Sequence, residues 1–215
     1  VLCVGLREES NPAQLELFDK DAGLTCIKRA AAVLVYDARR FRVSGPGHFT
    51  LGGIMIKEVH GDILLSSAQA IAHGVSPNDN FAQGLALALR EQWPALYKDF
   101  RHFCQTAHPK SGEAWLWASA DGKRIVNLLT QEAACGHGEK PGQATLPNVN
   151  HALRALHKIA QAETFTSIAL PRLATGVGRL AWEDVRPLID EHLGGLGIPV
   201  YVYTKYEKGV KAVEA

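Results

Sequence analysis

The chain of 215 residues lacks any apolar run approaching the roughly 18–20 residues a membrane helix needs, so no membrane partner is expected. Its four cysteines (Cys3, Cys26, Cys104 and Cys135) are scattered, with no C-x-x-C pair. That pattern excludes a dense disulfide framework, and it reads as reduced thiols in a cytoplasmic protein. An excess of one charge is missing too: 23 Lys and Arg stand against 22 Asp and Glu, a net charge of +1. A broad basic surface for bare nucleic acid is therefore excluded, although a local patch is not. Neither G-x-x-x-x-G-K-[ST] nor G-x-G-x-x-G occurs, which removes the P-loop and the Rossmann fingerprint. The start shows no basic, apolar and small-residue pattern of a signal peptide. Methionine is nearly absent, with Met55 alone, and residues 1–50 are read as an N-terminal extension of unknown role.

What is present is an ordinary globular composition, 47% apolar and 21% charged, enough for one well-cored domain. Residues 31–45 read as one or two strands ending in a Ser-Gly-Pro-Gly turn. Residues 54–59 and 70–75 read as strands. Leu85, Leu89, Trp93, Leu96, Phe100 and Phe103 recur every three or four positions, the stripe of an amphipathic helix, and Pro94 divides that helix in two. Residues 113–119 and 124–131 read as a hairpin, 146–162 as a helix and 167–171 as a strand. A helix over about 183–193 tolerates Pro187 if Asp184 caps it. A strand over 198–204 closes the series. Strands alternating with helices imply a three-layer α/β/α domain. No internal repeat appears.

Four loops follow the strands, at the end of the sheet where α/β folds place their ligands. In the first, Asp62 suits either an acceptor for the exocyclic amine of a base or a simple turn cap. The second, "HGVSPNDNFAQG", runs from His73 to Gly84; it fits a phosphate cradle at a helix start or a plain surface loop, and His73 fits a catalyst or a satisfied core histidine. The third is the Gly/His/Lys-rich loop 134–144. The fourth lies within "ALPRLATGVGRLAWEDV", a strand, glycine-rich turn and helix that present backbone N–H groups to an anion. Two groups, His102/Cys104/His108 and Cys135/His137, fall short of the three or four convergent ligands zinc requires, so no metal and no cofactor are expected.

Taken together, "IKEVHGDIL…AIAHGVSPNDNFAQGLALAL…HGEK…ALPRLATGVGRLAWEDV…VYVYT" resembles the macrodomain family. The likeness is to the branch with terminal ADP-ribose glycohydrolases and the yeast-type ADP-ribose-1″-phosphate phosphatase. It implies an α/β/α macrodomain with a mixed central sheet over residues 51–208, followed by a tail over 209–215. Asp62 then hydrogen-bonds the adenine amine with Ile63 beside it. Phe81, Ala82, Gln83, Gly84 and Leu85 form a first phosphate loop. Thr175, Gly176, Val177, Gly178, Arg179 and Leu180 form a second. His73 is the candidate catalytic residue, "HGEK" (137–140) matches the phosphatase, and Tyr203 or Tyr206 flanks the adenine.

Two departures bear on chemistry. The stretch Leu89-Arg90-Glu91-Gln92 holds no lysine, and arginine does not form a covalent adduct because it stays protonated. Gly178 stands where lysine-dependent relatives carry an acid. The resemblance implies binding of ADP-ribose or a derivative, with hydrolysis of ADP-ribose-1″-phosphate or removal of ADP-ribosyl groups. The alternative is a non-catalytic reader of ADP-ribosylated protein or nucleic acid, nucleic acid entering only as modified substrate.

Overall fold

A computed structural model describes residues 55–134 and 141–214. The expected extension over 1–50, its strands at 31–45 and the "HGEK" segment lie outside these residues. The described elements are β1 (Ile56–Gly61), β2 (Ala70–Val75), α1 (Gly84–Gln92), α2 (Pro94–Ala107), β3 (Ala114–Ala118), β4 (Arg124–Leu129), α3 (Leu146–Ala162), β5 (Ile168–Pro171), α4 (Trp182–Leu193) and β6 (Val200–Tyr206).

Period-two alternation builds the sheet. Ala70 and Ala72, Val126 and Leu128, Ile168 and Leu170, and Val200 and Val202 point to one face. There they meet Val149, Leu153 and Leu156 of α3 and Val185, Ile189 and Leu193 of α4. Residues one step out of phase point the other way. Ile125 and Leu129 pack on Leu89, Leu96 and Phe100 of α1 and α2, while Ile71, Ala169, Tyr201 and Tyr203 pack beside the turn that follows β1. Both faces are covered, which gives the expected three layers.

The strand order is β1-β6-β5-β2-β4-β3. Every neighbouring pair is parallel except β3 and β4, the expected hairpin, so the sheet is mixed. Pro94 does divide the helical stretch. Trp93 N–H closes α1 on the Leu89 carbonyl at 2.8 Å, and Pro94 opens α2 at a first-turn position whose N–H needs no partner. α4 corrects one expectation. Its N-cap is Ala181, not Asp184, and both Asp184 and Val185 N–H bond back to the Ala181 carbonyl. Glu183 and Asp184 instead sit in the first turn, where their charge suits the positive end of the helix, and Pro187 lies inside it.

One irregularity in the sheet positions everything below. β5 pairs with β6 at four positions, out to Pro171 opposite Tyr203. It pairs with β2 at only two, Ala70 with Ile168 and Ile71 with Ala169. Beyond Ile71 the two central strands part, with His73 on one lip and Pro171, which has no N–H to give, on the other. The parting coincides with the strand-order switch, since β2 leads away toward β4 and β5 toward β6.

Leu156 is fully buried between the sheet and α4. Leu156→Ala is expected to lower the unfolding free energy in urea by about 2–5 kcal/mol, without changing the far-UV circular dichroism of the native state.

Candidate functional site

The crevice at the parted strands has two lobes sharing Gly84, Leu85 and Pro171. The larger, a cavity of about 400 Å³, lies over the end of β1 and is lined by Asp62, Ile63, Tyr203 and Tyr206 among others. The smaller, about 200 Å³, runs inward between the two loops expected to hold phosphate, 81–85 and 175–180, to His73 and Gln131.

Asp62 ends β1 and caps the short turn Ile63–Leu65, its Oδ1 accepting from Leu64 N–H at 3.1 Å. Its Oδ2 accepts from Gly209 N–H at 3.0 Å. The carboxylate is 6% exposed, and each oxygen keeps a lone pair for one further donor. The cap and the base acceptor are thus compatible roles for one side chain. Tyr206 is 65% exposed at the rim, a flat apolar face for a ring to lie against.

The first loop divides. Gln83, Gly84 and Leu85 line the cleft, and the N–H groups of Gly84, Leu85 and Ala86 precede the first helical bond of α1, from Leu87 N–H to the Gln83 carbonyl. They find no acceptor among the described residues, so they and the positive helix end face the inner lobe. Gly84 has φ +59°, a left-handed conformation, and a side chain there would project into open space. Phe81 and Ala82 do otherwise. Phe81 is fully buried against His73, Tyr97 and Phe100. Its N–H is taken by Asp79 Oδ1 at 2.8 Å, and Ala82 N–H by Asn80 Oδ1 at 3.1 Å. The structure therefore puts Phe81 in the core, because aromatic burial and two Asx turns outweigh exposure of that part of the loop. Arg90 donates to the Asn80 carbonyl and lies over the Tyr97 ring at 4.2 Å, bracing the loop from behind.

The second loop supplies Gly176, Val177 and Gly178 to the inner lobe. Their N–H groups also lack an acceptor among the described residues. Thr175 instead turns its hydroxyl onto the Arg172 carbonyl at 2.9 Å. Arg179 and Leu180 spend their N–H groups on the Gly176 and Ala174 carbonyls, closing the loop on itself. Gly178 has no room for a side chain. A Cβ there would lie 2.5 Å from the Ala174 carbonyl oxygen and 2.8 Å from Ala144 Cβ. No acid fits at this position without opening the loop.

At the inner end, His73 is buried and its Nε2 meets Asn127 Oδ1 at 2.8 Å. Asn127 gives its amide nitrogen to the Trp115 carbonyl, so its oxygen faces the ring. Nε2 is then the protonated nitrogen and Nδ1 the bare acceptor. Burial drives the imidazole pKa down to about 4, only partly opposed by the Asn127 hydrogen bond, so His73 is neutral at physiological pH. His73 Nδ1, Gln131 Oε1 and Thr130 Oγ1 are all buried with no partner among the described residues. Orphaned groups of this kind are rare in native interiors and mark a place where a ligand or water completes the bonding. Asn127, Thr130 and Gln131 escaped sequence reasoning. β4 reads as an apolar strand, and only the register His73↔Asn127 reveals the polar pair. Among the described residues no group of three His, Cys, Asp or Glu converges as metal ligands, and Cys104 is buried within α2.

The site so defined is a nucleotide-sized cleft of an α/β/α protein. It has a carboxylate at one end, two rows of free N–H groups at its waist and neutral acceptors at the other end. No family model matches the chain. It is 27% identical over 153 residues to the human ADP-ribose glycohydrolase OARD1, covering 71% of this chain and 93% of that protein. It is 26% identical over 168 residues to a DNA ADP-ribosyl transferase–DNA ADP-ribosyl glycohydrolase fusion protein of Thermosipho africanus, of which it spans 43%. Among solved structures, the macrodomain of Thermus aquaticus DarG superimposes with a TM-score of 0.62 at 27% identity, over 70% of this chain and 98% of that one. The chain has the macrodomain fold, and the proteins it resembles include ADP-ribose glycohydrolases.

The buried histidine makes folding pH-dependent. In the unfolded chain its ring titrates near 6.5, in the folded protein only near 4, so protons bind the unfolded state preferentially in between. Stability contributed by neutral His73 is lost as pH falls from about 6.5 toward 4, up to about 3 kcal/mol. Urea titrations across that range should show a shallower decline for His73→Gln than for wild type.

Proposed function

We propose that the cleft binds ADP-ribose or an ADP-ribose derivative. The observation that carries this reading is the convergence of two rows of unpaired N–H groups, Gly84–Ala86 and Gly176–Gly178, on one inner lobe. A diphosphate held this way needs no lysine, because the helix end and oriented amides supply the positive potential. Adenine occupies the larger lobe, with its amine on Asp62 and Tyr206 against its ring. The distal ribose reaches His73 and Gln131, whose unpaired acceptors suit its hydroxyls. The names of the relatives, two of them ADP-ribosyl or ADP-ribose glycohydrolases, support an ADP-ribosylated macromolecule as partner. Hydrolysis at the distal ribose, of a 1″-phosphate ester or of a link to an ADP-ribosylated acceptor, would have His73 Nδ1 accept a hydrogen bond from the attacking water and orient it.

One observation favours the second reading, a reader that does not turn over. The described cleft presents no lysine, and Gly178 leaves no space for a carboxylate, so a lysine–acid covalent mechanism finds no such pair among the described residues. We assign the domain to residues 51–208, preceded by the extension over 1–50. A cytoplasmic setting is supported by the cysteine pattern. Among the described residues no helix is long and apolar enough to cross a membrane.

Titration calorimetry should detect ADP-ribose binding, and Asp62→Ala should weaken it about tenfold or more. Lack of heat with ADP-ribose, or wild-type affinity in Asp62→Ala, rejects the reading. Incubation with ADP-ribose-1″-phosphate and with ADP-ribosylated protein or DNA separates the two alternatives. Turnover lost in His73→Ala identifies the enzyme; binding without turnover of any of them identifies the reader.

A further inference from the structure

We propose that the chain segment after β6, Glu207–Glu214, is a strap that sets the base specificity of the cleft, with Glu214 as its positioning residue. This rests on the ADP-ribose reading of the larger lobe. No residue of the strap lines that lobe, yet three residues that do are held by it.

The first is Gly61. The strap turns back after Tyr206 through a tight turn in which Val210 N–H bonds to the Glu207 carbonyl, with Gly209 at φ +72°. This returns Val210 and Ala212 directly onto Gly61, where a Cβ would lie 2.7 Å from the Val210 carbonyl oxygen and 3.0 Å from Ala212 N. Gly61 itself has φ +146°. Only glycine admits the strap at this distance.

The second is Asp62, the residue that reads the base. Its N–H donates to the Val210 carbonyl at 2.7 Å, and its Oδ2 accepts from Gly209 N–H at 3.0 Å. Leu64 N–H fixes only Oδ1. The plane of the carboxylate, and so the direction in which its free lone pairs point, is set by the bond from the strap.

The third is Tyr203, whose hydroxyl donates to Glu214 Oε1 at 2.8 Å. The same carboxylate accepts from Ser66 Oγ at 2.5 Å and from Ser67 N–H at 2.8 Å. Lys123 ammonium lies nearby, donating to the Ser66 and Ala68 carbonyls. Glu214 thus fastens the end of the strap to the turn after β1, and Ala212, buried beside Val59, Ile63 and Tyr203, seats its middle. A carboxylate accepting three bonds from two separate segments, β6 and the turn after β1, is a clasp rather than a surface charge.

A positioned Asp62 accepts the exocyclic amine of adenine. Hypoxanthine carries a carbonyl oxygen at that position and would face the carboxylate acceptor to acceptor. The wild-type protein therefore prefers ADP-ribose to its hypoxanthine counterpart, inosine-diphosphate-ribose, and the strap sustains that preference without touching the ligand.

The test is calorimetric affinity for both nucleotides in wild type, Glu214→Gln, Glu214→Ala and a chain ending at Tyr206, with thermal unfolding of each. Wild type should favour ADP-ribose about tenfold or more, the worth of one hydrogen bond to a charged group. Truncation and Glu214→Ala should bring ADP-ribose down to the affinity of the hypoxanthine nucleotide. The latter should change no more than about twofold, because the diphosphate loops are untouched. Glu214→Gln, which keeps the shape but can strain one of the three bonds, should fall between, and it keeps the test alive if the shorter chain unfolds. A wild-type ratio in Glu214→Ala and in the folded truncation overturns the proposal, as does an equal loss of affinity for both nucleotides. If wild type binds neither nucleotide, the ADP-ribose reading itself fails and the proposal with it.

Discussion

The site exists because two central strands stop pairing. β2 and β5 share a ladder only through Ile71 and Ala169, and from there the sheet opens at its carboxyl edge. Had the ladder continued, His73 and Pro171 would close against each other as core. Pro171, having no N–H, makes continuation on that strand costly, and β5 keeps its alignment by pairing with β6 instead. The connections then diverge, one side carrying the loop that leads into α1 and the other the loop that follows β5. A single break in pairing thus yields a crevice with two walls of different chain origin.

The walls present unpaired N–H groups to the cleft without carrying charge. In the proposed reading, backbone N–H groups at the start of α1 and in the turn after β5 take the part that lysines play in other phosphate sites, without disturbing an almost neutral molecule. Their geometry is held from behind by side chains: Asp79 and Asn80 fold the first loop and Arg90 buttresses it, while the second loop is closed by its own carbonyls. Left-handed non-glycine residues mark both, Phe81 at φ +50° and Ala174 and Arg179 at φ +58° and +62°. Such conformations survive where surrounding contacts over-determine them, as at binding sites. His73 follows the same logic, for burial keeps it neutral and Asn127 decides which nitrogen is free.

Much of this was legible in the sequence because it depends on local pattern. The short apolar run of β2 and the helical spacing of Leu85, Leu89, Trp93 and Leu96 dictate their elements with little help from the rest of the chain. Pro94 and the turn at Ala120–Lys123 act within a few residues. Glycines at 176 and 178 flag a loop whose amides are bare. What stayed hidden depends on register and reach. Asn127 sits in a strand that reads as continuous apolar core, and its meaning comes only from lying opposite His73. Phe81 shares a loop with cleft residues, yet its ring outweighs its position and turns inward. Asp184 resembles a cap, but the helix begins earlier, at Trp182. Glu214 lies 148 residues from Ser66 in sequence, a separation no periodicity bridges.

The closed second loop has a kinetic side. Gly178 is wedged against Ala144, whose N–H bonds to the Gly178 carbonyl at 3.2 Å, and the turn is stitched at Arg179 and Leu180. The ordering entropy of this wall is settled when the chain folds, not when a ligand arrives. An incoming anion meets amides already aligned, so association on this side is governed by diffusion and the open rim at Tyr206 rather than by a loop waiting to close. Differences in affinity among ligands that use this wall will then be written in how long they stay.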